Sequence, residues 1–168
     1  MRKIYKFIIE GTAFLAVLLS CFYIKYPVRY KKHVEYYGKR FHVEKSLVFA
    51  VIYCESSFVK DKVSYAGAVG LMQIMPSTAK YVCEMLGKES YDLFDEKDNI
   101  EIGVKYLSYL FEKYKSVEYV LYAYNGGEGT LLKWLESGDK VFWFKESVNY
   151  CNKVLKVKKW YEKLYFNP

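Results

Sequence analysis

The stretch from residue 54 to residue 79 reads CESSFVKDKVSYAGAVGLMQIMPSTA. Just before it, Leu47, Val48, Val51 and Ile52 recur at helical spacing, and Glu55 falls on their side of the helix. A carboxylate there is either buried at a cost or placed in a cleft with a raised pKa. Gly67 and Gly70 follow, and Gly87 comes after one more helical segment. Between them, residues 70–76 read GLMQIMP. That segment is too glycine-broken to begin as a helix and too apolar for an ordinary exposed loop. A lone acid facing a folded-back apolar loop with one amide, Gln73, predicts a small polar cleft.

Downstream, the signals are helical throughout. Pro76 opens a helix that Gly87 closes. Residues 88–98 read as a charged loop, with Tyr91, Leu93 and Phe94 turned to the core. Asn99 is expected to cap the next helix. Its stripe is Ile100, Gly103, Val104, Leu107, Leu110, Phe111 and Tyr114. A glycine in mid-helix is costly, so Gly103 predicts close packing against a neighbour, with the Glu55 helix the expected one. Ser116 caps a short helix, and Asn125-Gly126-Gly127 breaks it. Another helix spans 128–136 and ends at Gly138. Trp143, Phe144, Val148, Cys151, Val154, Leu155 and Trp160 line the last long one. No strand pattern persists, so the expected fold is mainly α, a single helical domain.

Upstream, the composition changes. Residues 1–45 carry ten Lys or Arg against three Glu, whereas residues 46–168 carry 16 of each sign. The whole net charge of +7 therefore belongs to the front of the chain. A nucleic-acid-binding domain would carry its charge on the folded part, so no nucleic-acid partner is expected. Residues 7–24 are apolar apart from Glu10, Thr12 and Ser20. Eighteen helical residues give roughly 27 Å, near the minimum for a bilayer span. The segment reads as an uncleaved signal anchor or a signal peptide. Lysine or arginine on both flanks leaves orientation to be set by function. The expected division is a basic membrane segment over 1–26, a basic linker or the start of a first helix over 27–36, and the folded helical domain over 37–168. The four cysteines, at 21, 54, 83 and 151, form no CxxC pair, and two histidines make no zinc pattern. Cys54, Cys83 and Cys151 read as small buried hydrophobes, with one disulfide among them the alternative.

Three pieces in order carry a resemblance. They are Glu55-Ser56; Ser64-Tyr-Ala-Gly-Ala-Val-Gly-Leu-Met-Gln-Ile-Met-Pro76; and Ala123-Tyr-Asn-Gly-Gly127. Together they resemble the lytic transglycosylases of the soluble-lytic-transglycosylase type, relatives of goose-type lysozyme. The resemblance covers roughly residues 37–155 and implies a lysozyme-like helical domain. It implies that Glu55 is the catalytic residue, first general acid at the bond between N-acetylmuramic acid and N-acetylglucosamine, then general base on the muramyl C6 hydroxyl. Closure of that hydroxyl on C1 gives a 1,6-anhydro sugar. The resemblance also implies substrate-binding roles. Met72 matches a cleft-lining methionine and Gln73 an amide that binds acetamido groups. Tyr124 matches a tyrosine approaching the catalytic carboxylate, and Asn125 a cleft asparagine. Ser56 and Ser64 match serines that hold the motif together, and Glu146 an acid that orients the cleft. Where the family has Glu-Thr and a Tyr-Val run, this chain has Glu146-Ser147 and Tyr150-Cys151. The partners implied are peptidoglycan glycan strands and, through the N-terminal helix, the cytoplasmic membrane. The expected location is a single-pass membrane protein with its domain outside the cytoplasm, or a secreted form, or a lipoprotein at Cys21, since Leu18-Leu-Ser-Cys21 resembles a lipoprotein processing box. No metal or organic cofactor is implied.

The residues bear on mechanism independently. Ordinary glycosidases place two carboxylates across the bond, about 5–9.5 Å apart. Glu44 lies eleven residues before Glu55, some 16 Å along the helix axis, and cannot pair with it. Asp61 reaches Glu55 only by a loop fold that spacing does not dictate. A one-acid mechanism therefore carries weight, and it is the one that the resemblance implies. The alternatives are a hydrolysing muramidase that uses Asp61, and an inactive wall-binding or secretion-assembly module.

Overall fold

The computed structural model describes residues 22–166, together with Thr12, Val17 and Ser20. Most of the apolar segment 7–24, including Cys21, lies outside the described residues. Among the described residues no helix is long and apolar enough to cross a membrane. Residues 22–25 are helical. The body then runs α1 (Lys31–Arg40), α2 (Lys45–Ser56), α3 (Pro76–Leu86), α4 (Glu96–Tyr114), α5 (Val117–Gly126), α6 (Glu128–Ser137) and α7 (Lys145–Tyr161). A π-helical turn, Glu162–Phe166, follows. The described residues contain no strand beyond two isolated antiparallel bridges, Val63 with Val69 and Val69 with Ile74.

The core forms around α2, which is buried almost all round because Leu47, Val48, Phe49, Ala50, Val51 and Ile52 leave it no polar face. Its largest partner is α7, whose Tyr161 stacks on Phe49; α1 covers another side. α5 packs on α7, and α4 packs on α1, α3 and α5. Local signals set many of the boundaries. Pro76 stands in the first turn of α3, and Gly87 ends it at φ 63°. Ser116 caps α5 by accepting from the Tyr119 N–H at 3.4 Å. Gly127, at φ 80°, ends α5 and starts α6.

Several expectations change. The cap of α4 is Asp95, which accepts from the Lys97 and Asp98 N–H groups. Asn99 is instead inside that helix, and buried. Of the three loop residues before it only Leu93 is buried, while Tyr91 and Phe94 are exposed. Trp143 and Phe144 precede α7 rather than line it, and Trp143 is 49% exposed. The cysteines do not change: Cys83 and Cys151 are buried as expected, Cys54 is half-buried, and all three are free thiols. α1 begins at Lys31, and its Val34 is in the core.

Gly103 does pack closely, but on Met72 of the loop and not on α2. A Cβ at Gly103 would stand 2.4 Å from the Met72 Sδ and 2.9 Å from its Cβ. Gly103→Ala is therefore expected to lower stability despite its better helix propensity. The gain of about 1 kcal/mol from propensity is set against about 1–3 kcal/mol of overpacking. Chemical denaturation reads the sign: a stabilised variant would mean that Met72 has room to move.

Candidate active site

The cleft begins with the end of α2. Glu55 is the second-last residue of that helix, half-buried, on the side where apolar residues have stripped water away. Burial pushes its carboxyl up to about 7, although the Tyr150 hydroxyl and the charges of Lys62 and Lys153 pull the other way. Both charged groups that act on it are cations; no carboxylate is among them. Asp61 lies exposed in the loop. Lys62 reaches back and donates to the Glu55 backbone carbonyl, which satisfies one of the carbonyls left open where α2 stops.

Residues 57–75 fold back over the end of α2. Ser56 is buried; its hydroxyl donates to the Ile52 carbonyl at 3.2 Å and accepts from the Phe58 N–H at 3.1 Å. The Ser64 hydroxyl accepts from the Ala68 N–H at 2.9 Å. Both serines are thus used in shaping the loop. Gly70 adopts φ 82°, and a Cβ there would lie 2.1 Å from the Asn99 side-chain nitrogen, so only glycine admits Asn99. Asn99 then holds three segments. Its Oδ1 accepts from the Met72 N–H at 2.8 Å, and its Nδ2 donates to the carbonyls of Val69 at 3.0 Å and Leu93 at 2.8 Å.

Gln73 sits at the rim in a left-handed backbone conformation, φ 49°, uncommon for a residue with a side chain. Its amide nitrogen donates to the carbonyls of Lys62 at 3.0 Å and Gly70 at 2.9 Å. Two carbonyl partners fix the amide's orientation, so its oxygen is the end turned away from them. A cleft of about 220 Å3 is lined by Gln73, Ile74, Met75, Thr78, Tyr106, Tyr124, Asn125, Gly126 and Gly127. Met72 is different: its side chain is 0% exposed. It supports the cleft from beneath, against Gly103, and offers no surface to a ligand.

Tyr124 and Tyr150 close the site from α5 and α7. Burial raises the pKa of both well above the ordinary tyrosine value, and the Glu55 charge adds to it. The Tyr124 hydroxyl donates to the Met72 carbonyl at 2.8 Å, so it ties the loop to α5. Tyr150 stands nearest in role to the carboxyl. Its buried hydroxyl meets no partner at full hydrogen-bond geometry, yet it is close enough to Glu55 to lower that pKa. The contact is a loose one that a small shift would tighten. Asn125 accepts from the buried Ser147 hydroxyl at 2.7 Å, which orients its amide. Glu146, next to Ser147, is exposed in the first turn of α7.

Tyr150 and Ser147 escaped the sequence reading. The signal for Tyr150 was its place in the run 149–155, but a buried tyrosine on an amphipathic helix reads first as packing. Asn99 was seen, but as a cap.

Taken together, the arrangement offers one carboxyl with a pKa near neutral pH, acting on Tyr124 of the cleft wall, with a hydroxyl and two cations acting on it in turn. That is the equipment of a single general acid that can also serve as base.

The description "Transglycosylase SLT domain" matches residues 32–141. Membrane-bound lytic murein transglycosylase C of Serratia proteamaculans is 42% identical over 123 residues, covering 65% of this chain and 33% of that protein. Membrane-bound lytic murein transglycosylase E of Buchnera aphidicola is 33% identical over 131 residues, covering 71% of this chain and 57% of that protein. The chain thus spans about a third to just over half the length of these curated relatives. Among solved structures, the 70 kDa soluble lytic transglycosylase of Escherichia coli superposes with a TM-score of 0.78 at 28% identity, over 84% of this chain and 25% of that one. An inactive mutant of the lytic transglycosylase Slt from Pseudomonas aeruginosa gives 0.77 at 28% identity, over 87% of this chain and 26% of that one. A complex of the 70 kDa soluble lytic transglycosylase with bulgecin A gives 0.78 at 28% identity, over 84% of this chain and 25% of that one. With the helical body, the folded-back loop and the match over 32–141 in agreement, the chain belongs to the transglycosylase SLT domain family.

Proposed function

We propose that this protein is a murein lytic transglycosylase. It cleaves the β-1,4 bond between N-acetylmuramic acid and N-acetylglucosamine and leaves a 1,6-anhydromuramic end. The observation that carries the proposal is the placement of Glu55: a desolvated carboxyl at the end of α2, raised to about 7, with Tyr150, Lys62 and Lys153 acting on it and Asp61 exposed in the loop.

The steps balance around that one group. Protonated Glu55 gives its proton to the glycosidic oxygen as the C1–O bond breaks. The oxocarbenium-like centre is then attacked at C1 by the sugar's own C6 hydroxyl. The C6 hydroxyl proton goes to the Glu55 carboxylate, which restores the acid, and no water is consumed. An internal nucleophile avoids the entropy of positioning a water. Gln73 and Asn125 hold the acetamido groups and the glycan backbone in the cleft; the free oxygen of Gln73 accepts an acetamido N–H. Ser56, Ser64 and Met72 act by shaping the loop, and Glu146 as the acid that orients the cleft. The strain at Gln73 supports a functional reading of that position.

Residues 1–26 hold the domain at the outer face of the cytoplasmic membrane. Support comes from the apolar run 7–24 and from relatives described as membrane-bound.

Mass spectrometry of products from purified peptidoglycan tests the reaction. Muropeptides lighter by one water than reducing ends, and resistant to borohydride, are expected. Reducing ends would mean hydrolysis, with Asp61 the first group to test. Retained glycan binding without any cleavage would mean a binding module.

A further inference from the structure

The end of α7 carries a cluster that the cleft does not use. Phe22 stacks on Trp160 with ring centres 5.0 Å apart, and Tyr26 stacks on the same indole at 6.0 Å. Tyr23 meets Tyr165 edge-on at 5.3 Å. Two hydroxyls fix the chain entering the body: Tyr161 donates to the Pro27 carbonyl at 2.9 Å and Tyr165 to the Tyr26 carbonyl at 2.7 Å. The segment that leaves the apolar run is therefore not a loose tether. It is bolted to the C-terminal end of α7.

This cluster stays partly open. Ile24 is 79% exposed, and Tyr23 is 48% exposed despite its contact with Tyr165. Cations surround it. Lys25 lies over the Tyr26 ring at 5.5 Å and Lys163 over the Trp160 indole at 5.6 Å. Lys156 is one turn before Trp160 on α7 and Arg29 follows Pro27; both are exposed. None of these four enters an ion pair among the described residues, whereas nearby Lys158 is held by Glu44 at 2.6 Å and Glu162 at 2.5 Å. Tryptophan and tyrosine with lysine at the end of an apolar run is the composition that settles at headgroup depth. Unpaired cations beside it suit anionic lipid phosphates.

We infer that residues 22–29 and the end of α7 form a single aromatic and basic collar that seats the folded body on an anionic lipid surface. This rests on the membrane-anchored reading given above and deepens it. The collar fixes geometry as well as location. On α7, Trp160 and Tyr150, the neighbour of Glu55, are ten residues or about 15 Å apart. The cleft is thereby held near the bilayer, and the strands within reach are those next to the membrane.

The full chain, reconstituted in phosphatidylcholine vesicles with or without phosphatidylglycerol, tests this without any catalytic readout. Flotation reports anchoring. Tryptophan emission with a headgroup nitroxide lipid, compared between the native chain and Trp160→Phe, reports the collar. Trp160 emission is expected to fall roughly twofold with the nitroxide when phosphatidylglycerol is present, and to be shielded from aqueous iodide. Lys25→Gln combined with Lys156→Gln and Lys163→Gln changes only exposed side chains and should remove the dependence on phosphatidylglycerol. Chain that fails to float overturns the anchor and the collar together. Chain that floats while Trp160 stays open to iodide and unquenched by the nitroxide overturns the collar alone. So does equal quenching with and without phosphatidylglycerol, or a triple variant that behaves as native.

Discussion

Glu55→Gln is expected to slow glycan cleavage by about 10²–10⁴-fold while glycan binding survives. Glutamine keeps the shape but can neither give the proton to the leaving oxygen nor take the one from the C6 hydroxyl. The pH profile follows from the same group. The acid form is needed at the start, and burial holds its pKa near 7. Activity per free enzyme should therefore fall as pH rises through about 7.

The same substitution should raise stability above neutral pH. The folded state binds the Glu55 proton more tightly than the unfolded chain, with a pKa of about 7 against 4.5. The associated stability is full below the lower value and is lost as pH rises through the upper one. At pH 8 the native protein must ionise a desolvated carboxyl, and glutamine need not. From the pKa difference the variant should be the more stable by up to about 3 kcal/mol at about pH 8, and nearly equal to native at about pH 4. Denaturant midpoints for both proteins at the two values measure this directly. A variant less stable than native at the higher pH would mean that Glu55 is held by favourable contacts and is not strained by desolvation.

Asn99→Ala is expected to be the most damaging change away from the carboxyl. One side chain satisfies the Met72 N–H and the carbonyls of Val69 and Leu93. Its loss leaves the Met72 N–H and the Leu93 carbonyl buried without it, at about 1–3 kcal/mol each, beside a new void. A total on the order of 3–5 kcal/mol is expected. Asn99→Asp should not rescue it. The carboxylate keeps an acceptor for the Met72 N–H but turns a second oxygen on two carbonyls. Activity should fall as well, since Met72 and Gln73 are consecutive and the Tyr124 hydroxyl leans on the Met72 carbonyl. Urea denaturation decides: a loss under about 1 kcal/mol would mean the loop has other supports.

The residues near Glu55 show how far local chemistry carries. The helix that delivers it, the proline that opens α3, the glycines at 87, 127 and 138 that end helices, and the serine that caps α5 all act within a few residues of their own backbone. Each states its geometry through φ preference, missing N–H or reach of a short side chain, so the sequence alone determined them, and with them a helical body holding one acid at a helix end. The ordered motifs from Glu55 to Gly127 added the family. Partners far along the chain were decided only by the tertiary structure. Asn99 has the chemistry of a cap, but Asp95 occupies that place, and burial turns Asn99 toward a loop 27–30 residues away. Gly103 announced a close contact without naming Met72. Tyr150 became a neighbour of Glu55, and Trp160 a neighbour of Phe22, only when α7 packed along α2 and the entering chain. Periodicity fixes which face of a helix is buried; which side chain meets it across the core depends on crossing angles and packed volume, and those exist only in the assembled fold.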